Sequence, residues 1–91
     1  MKDILVDGHR ILTTGAIADA VLDYARLLME RRQTDIVEFP SLYDGTLTQC
    51  SILLGGAGPL AVLDAVMDLP VGVDGADAAC AEITRRADAL R

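Results

Sequence analysis

The stretch Ser51–Val66, SILLGGAGPLAVLDAV, decides between two folds for this chain. An apolar run breaks at the small residues Gly55–Gly58 and then resumes. A helix after the glycines would indicate alternating strands and helices around a parallel sheet, whereas a strand would indicate an antiparallel sheet. The fold therefore depends on the segment Leu60–Met67.

The segment 60–67 has features of both a strand and a short helix. Alanine, leucine and methionine favour a helix, and Pro59 suits its first position. The run is short, however, is bounded by Gly-Pro before it and Asp-Leu-Pro after it, and contains Val62 and Val66. Short apolar runs between turn signals are typical of strands. We expect a strand over 60–67, with a short helix as the alternative.

The glycines have the spacing of a dinucleotide-binding fingerprint, with Gly56, Gly58 and Ala61 in its three positions. Such a loop lets the backbone approach a pyrophosphate, and the helix that follows offers free N–H groups to the anion. Pro59 removes one of those donors, and a single helical segment after Asp74 leaves no further parallel strands. We expect the glycines to reverse the chain between two strands. Gly56 and Gly58 are the anion-site candidates of the alternative.

Upstream, the segment Lys2–Leu12 predicts a β-hairpin. Two β-rich runs flank Asp7-Gly8, the pair that a two-residue type I′ turn prefers. This register places Val6 opposite His9, and the same geometry gives further pairs on both faces, namely Ile4 opposite Ile11 and Leu5 opposite Arg10.

A second hairpin is predicted around Asp44-Gly45. Asp35 to Phe39 is a strand with alternating faces, and Pro40 either ends it or marks a sheet edge. Ser41 to Gly45 forms a polar loop that carries an exposed Tyr43, and Thr46 to Leu54 returns as a strand. Alternation puts two sets of residues on opposite faces of this hairpin, with Val37, Phe39, Cys50, Ile52 and Leu54 inward and Glu38, Gln49, Ser51 and Leu53 outward.

Two helices complete the pattern. Thr13 and Thr14 are both good N-caps, and an apolar stripe of helical period follows to about Arg32. The last helix is expected from Gly75 to Leu90. The predicted order is β-β-α-β-β-β-α over residues 1–91, a single α+β domain with two helices packed on one face of a mainly antiparallel sheet.

Composition limits the partners of this chain. Hydrophobic residues make up 52% of the 91 residues but aromatic residues only 3%, so the core is aliphatic and one copy leaves apolar surface uncovered. We therefore expect a homodimer. The net charge of −6 and the pI of about 4.4 argue against nucleic acid and membrane surfaces as partners. We expect no targeting signal, and we expect Cys50 and Cys80 to be free thiols of a cytoplasmic protein.

Few residues are candidates for chemistry. His9 beside Asp7 could act as an acid or base, but it falls at a hairpin tip. Asp64 and Asp68 would form a weak cation-binding pair on a helix but are only solvated charges on a strand, and we expect no catalytic residue, metal or cofactor. The sequence thus predicts a protein-interaction module that self-associates without catalysis. The alternative is a small-molecule or anion-binding protein, or an enzyme, with its site at the Gly55–Gly58 loop.

Overall fold

A computed structural model describes residues 1–56, 58–65 and 72–91. It contains five strands and two helices in the predicted order, which are β1 Lys2–Val6, β2 His9–Thr13, α1 Gly15–Glu30, β3 Asp35–Tyr43, β4 Thr46–Leu54, β5 Leu60–Asp64 and α2 Ala76–Asp88. The α+β class and the antiparallel sheet are therefore confirmed. Within these ranges, neither helix has the length and apolarity needed to cross a membrane.

The strands form one antiparallel sheet in the order β4-β3-β2-β1-β5. Asp7 and Gly8 have φ of 49° and 79°, which is the type I′ geometry that the Asp-Gly pair predicts. The turn fixes the register of β1 and β2, with Val6 opposite His9 and Ile4 opposite Ile11 as expected.

Helix α1 packs against β1 and β5, and α2 packs against α1 and β3. Thr14 is the N-cap of α1, because its hydroxyl accepts a hydrogen bond from the backbone N–H of Ile17 at 3.1 Å. Thr13 has another role, since it ends β2 and is fully buried. The largest fully buried side chains are almost all aliphatic, and they are Phe39, Ile4, Ile17, Leu28, Ile83, Val21, Val37 and Thr13.

Strand β3 is longer than the sequence predicts. Pro40 does not end it, and residues 41–43, predicted to be loop, belong to the strand. Proline is tolerated because its peptide group faces away from β4, and the carbonyl of Pro40 accepts a hydrogen bond from the hydroxyl of Thr13 at 2.8 Å. The loop is reduced to Asp44 and Gly45, whose φ values of 52° and 77° are those of a two-residue hairpin turn.

The connection from β4 to β5 also differs from the prediction. Leu60–Asp64 is a strand, as the length of the run favours, while positions 66 and 67 lie outside the described residues. The glycines do not reverse the chain between adjacent strands, because β4 and β5 lie at opposite ends of the strand order. Gly55 and Gly58 have φ of 90° and 130°, so they do supply the left-handed conformations, but the connection leads from one end of the sheet to the other.

The two ends of this connection lie near each other, because the sheet is curved. Between β2 and β3 the pairing is the single pair Leu12–Leu42, which divides the sheet into a three-stranded and a two-stranded part. At the far end, Val6 and Leu60 line one small cavity together with Leu54. The sheet thus curls around α1.

Candidate functional site

A half-buried polar network joins α1, β3 and α2. The phenol of Tyr24 donates a hydrogen bond of 2.6 Å to Oδ2 of Asp35, and Nη1 of Arg86 donates one of 3.0 Å to the same oxygen. Oδ1 of Asp35 accepts from the backbone N–H of Ile36 at 2.8 Å. Arg86 also donates to the carbonyl of Ile36 at 3.0 Å. Each element contributes one polar side chain, so the network holds the two helices and the strand in position.

The chemistry of this network is that of a structural contact. Burial, with the hydrogen bond to Asp35, raises the pKa of Tyr24 to about 12. The hydrogen bond from Tyr24 in turn lowers the pKa of Asp35 below its usual 3.8. At neutral pH the phenol is therefore protonated and the carboxylate ionised, and both carboxylate oxygens already accept hydrogen bonds. The pair is poorly suited to exchange a proton with a substrate.

The glycine loop has a packing role at Gly55. A Cβ on Gly55 would overlap the carbonyl oxygen of Gln33, so only glycine fits there. A Cβ on Gly56 or Gly58 would meet nothing within 4 Å. The segment after Pro59 is a strand, so the helix N-terminus on which the dinucleotide fingerprint depends is not at this place. Gly56 and Gly58 stay a prediction as anion-site residues.

Beside the loop, an apolar groove of about 360 Å³ runs along α1. Its walls include Leu22 and Met29, which are 39% and 52% exposed, and Pro59 and Leu60. The predicted apolar stripe of α1 is therefore not wholly core.

The other sequence candidates are scattered. His9 and Asp7 lie exposed at the first hairpin. Cys50 and Cys80 are free, partly buried and packed against the core, one on β4 and one on α2. Burial raises the pKa of the Cys50 thiol, which favours the unreactive protonated form.

In the described ranges, no three His, Cys, Asp or Glu side chains lie close enough together to hold a metal ion. Asp64 is the exposed last residue of β5, and position 68 is outside the described residues.

The sheet face opposite α1 carries a row of residues that crosses all five strands, with leucine on four of them and Asp3 on β1. Register pairs Leu63 with Asp3, Asp3 with Leu12, Leu12 with Leu42, and Leu42 with Leu47. We call Leu63, Leu12, Leu42 and Leu47 the leucine row. Its end members Leu63 and Leu47 are 42% and 47% exposed. An exposed apolar row of this kind is typical of an association surface.

Sequence reasoning missed both the polar network and the leucine row. Tyr24 lies within the predicted apolar stripe of α1, so its hydroxyl is not distinguished by sequence, and an arginine near the end of a helix is favoured by the helix dipole without any partner. Only the alternation of Gln49, Ser51 and Leu53 pointed to an outward face on β4, and the exposed ends of the row could not be found without the strand order. Comparison of the chain with protein-family models, with curated proteins and with solved structures found no match in any of the three.

Proposed function

We propose that this protein is a cytoplasmic, non-catalytic module that acts by protein association, including association with a second copy of itself. The leucine row is the observation that carries this proposal. Its leucines lie on the sheet face opposite α1, so they are not part of the core between the sheet and that helix. Burial of apolar area contributes about 25 cal/mol per Å², so a row of leucines favours a protein partner over water.

The polar surface supports the same function. Many arginines already pair within the chain, such as Arg26 with Asp23 at 2.8 Å and with Glu30 at 3.0 Å. Exposed ion pairs of this kind add little stability but leave few unpaired cations for an anionic ligand. Together with the net charge of −6, they favour an apolar partner surface over nucleic acid.

Sedimentation velocity over a range of protein concentrations tests self-association. We expect the weight-average sedimentation coefficient to rise towards that of a dimer as concentration increases through the micromolar range. A coefficient that stays at the monomer value into the high micromolar range would contradict self-association.

A thermal-shift screen tests the competing proposal, a small-molecule or anion site at the Gly55–Gly58 loop. The apolar groove beside that loop is the feature that favours this alternative. Nucleotides, sugar phosphates and apolar metabolites are the probes. A substantial rise in Tm with one of them at near-stoichiometric concentration would replace association with ligand binding as the function.

A further inference from the structure

We propose that two copies of this chain join edge to edge through β4, antiparallel about a twofold axis at Cys50, so that one sheet continues across both. This inference rests on the proposed self-association and specifies its surface. It differs from a face-to-face contact of two leucine rows.

The hydrogen-bonding direction of β4 follows from its contacts with β3. The carbonyls of Ile36 and Pro40 accept from Arg86 and Thr13, so the peptide groups at these positions of β3 point away from β4. Their partners on β4 are Leu53 and Gln49. In an antiparallel pair that exchanges no hydrogen bonds, both residues direct their N–H and C=O groups outward.

The alternate residues of β4 bond inward. Thr46 opposes Tyr43 across the two-residue turn, the position at which such hairpins exchange hydrogen bonds. The carbonyl of Thr48 accepts from the hydroxyl of Ser41 at 3.1 Å, on the side of β3. Outward groups are therefore those of every second residue, Leu47, Gln49, Ser51 and Leu53. In the described part of the chain, no strand pairs with this edge.

The other strand edges carry protection that β4 lacks. On β3, α2 and its Arg86 lie against the edge that faces away from β4, and Pro40 has no N–H to leave unpaired there. At the opposite end of the sheet, β5 has only five residues and ends in Asp64. Strand β4 has nine residues, TLTQCSILL, without a charge or a proline. Long, uncharged edge strands are templates for pairing with another strand.

The residues of β4 favour a second copy as the occupant. Antiparallel self-pairing about Cys50 sets Leu47 opposite the partner's Leu53 and Gln49 opposite the partner's Ser51. The side chains of Leu47, Gln49, Ser51 and Leu53 lie on one face of β4, and this order is nearly the same in both directions. Antiparallel self-pairing therefore sets apolar side chains opposite apolar ones and polar side chains opposite polar ones. All outward peptide groups pair in this register.

Charge and surface continuity favour the same occupant. Two copies that each carry −6 repel one another, and a strand without charged residues is where they can approach with the least repulsion. The leucine row ends at Leu47, and pairing would extend it onto the partner's Leu53 and the partner's Ile36. Those side chains are 61% and 57% exposed in the single chain.

Matched lysine substitutions on three exposed leucines test the inference. Leu53→Lys on β4 places a charge at the proposed junction, while Leu63→Lys changes the same residue type at the far end of the sheet. The twofold axis doubles the loss of each cross-strand pair, so we expect Leu53→Lys to raise the dimer Kd about tenfold. Leu22→Lys, on α1 outside both β4 and the leucine row, is the control and should leave Kd within about twofold. Leu63→Lys tests the leucine row itself. Circular dichroism establishes that all three variants are folded.

The outcomes separate this inference from the proposed function. If the dimer tolerates Leu53→Lys and is lost in Leu63→Lys, edge pairing is overturned and self-association through the leucine row stands. If the unsubstituted protein is a monomer, both fall.

Cysteine cross-linking tests the register without perturbing the edge. Opposed residues of a pair without hydrogen bonds have Cα atoms about 4.5 Å apart, within the range of about 4.4–6.8 Å that a disulfide needs. In a Cys80→Ser background, diamide should take two electrons and two protons from two Cys50 thiols and form a dimer that reduction reverses. The control is Thr48→Cys with Cys50→Ser and Cys80→Ser, whose thiols would be offset by four residues, about 14 Å. Equal cross-linking in both would overturn the register.

Discussion

Gly55 is a position at which no other residue fits without displacing the backbone. It has φ of 90°, and a Cβ there would overlap the carbonyl oxygen of Gln33. We expect Gly55→Ala to lower the free energy of unfolding by about 2 kcal/mol or more, because backbone strain and displacement of the Gln33 carbonyl add. Gly56→Ala is the matched control, since its Cβ would lie in open space, and its change should stay within about 0.5 kcal/mol. Urea unfolding of both variants measures the difference, and equal losses would contradict a packing role for Gly55.

The hydrogen bond between Tyr24 and Asp35 lets us predict how the free energy of unfolding depends on pH. The pKa of Asp35 is lowered in the folded chain, first by the hydrogen bond from Tyr24, so this carboxylate stabilises the fold above its unfolded pKa of 3.8. That contribution is lost as pH falls through the lower, folded pKa. Tyr24→Phe removes the main cause of the shift and should cost about 1–2 kcal/mol at neutral pH. The cost should shrink below pH 3.8, as urea unfolding at several pH values would show. A cost that is constant with pH would mean that the hydroxyl does not act through the carboxylate.

The same phenol gives a second readout. The pKa of Tyr24 is raised to about 12 by burial and by the hydrogen bond to Asp35, so its protonated form stabilises the fold fully below the usual 10.0. Absorbance titration of the folded protein should show a phenol that ionises near 12. The step should be absent in Tyr24→Phe and present in Tyr43→Phe. Loss of the step in the Tyr43 variant instead would reverse the assignment.

At the scale of elements, two adjacent threonines begin α1 and end β2. Both are good N-caps by sequence, but Thr14 caps the helix while the hydroxyl of Thr13 ties β2 to the carbonyl of Pro40. We expect Thr14→Ala to cost about 1 kcal/mol through the lost cap. Thr13→Val should cost about 1–3 kcal/mol, since it leaves a buried carbonyl unpaired.

Thr84→Ala is the control for these threonines, because that side chain is exposed on α2 and alanine is the better helix former. Its stability in thermal unfolding should be unchanged or higher. If Thr13→Val were as mild as Thr84→Ala, the contact with Pro40 would not be what joins β3 to β2.

Elements governed by local chemistry could be predicted from the sequence. Both Asp-Gly turns, the register of the first hairpin and the inward residues Val37 and Phe39 follow from turn geometry and alternation, and all are confirmed. The prediction that Pro40 ends β3 was wrong, because whether a strand tolerates proline depends on which way its peptide group faces. That direction is set by tertiary partners, here β4 and Thr13.

For the whole molecule, the path from β4 to β5 was the feature that local reasoning could not supply. The glycines indicate a change of backbone direction equally well in a hairpin and in a link between the two ends of a curved sheet. Only the pairing of β5 with β1 decides between them, and it depends on contacts between residues far apart in sequence. The candidate surfaces share this origin, since the leucine row exists only once all five strands are placed.

Charge on the whole molecule predicts how association depends on salt. Each copy carries −6 and has a radius of gyration of 12.4 Å. The Debye length is about 30 Å at 0.01 M salt and about 10 Å at 0.1 M. At the lower salt concentration, charges all over the two copies therefore repel one another, whereas at the higher one only charges close to the interface do. An interface of uncharged residues has no ion pairs to lose, and we expect the dimer Kd to fall several-fold as salt rises, measured by sedimentation equilibrium.

Asp74→Lys provides the control for this salt effect. Asp74 is exposed outside both β4 and the leucine row, and replacing an acidic residue with a basic one moves the net charge from −6 to −4. If long-range repulsion opposes association, this variant should dimerise more tightly at low salt and approach the unsubstituted protein at high salt. A Kd that instead rises with salt would indicate ion pairs between the copies. Such a result would exclude β4 as the principal contact, because that strand has no charged residue.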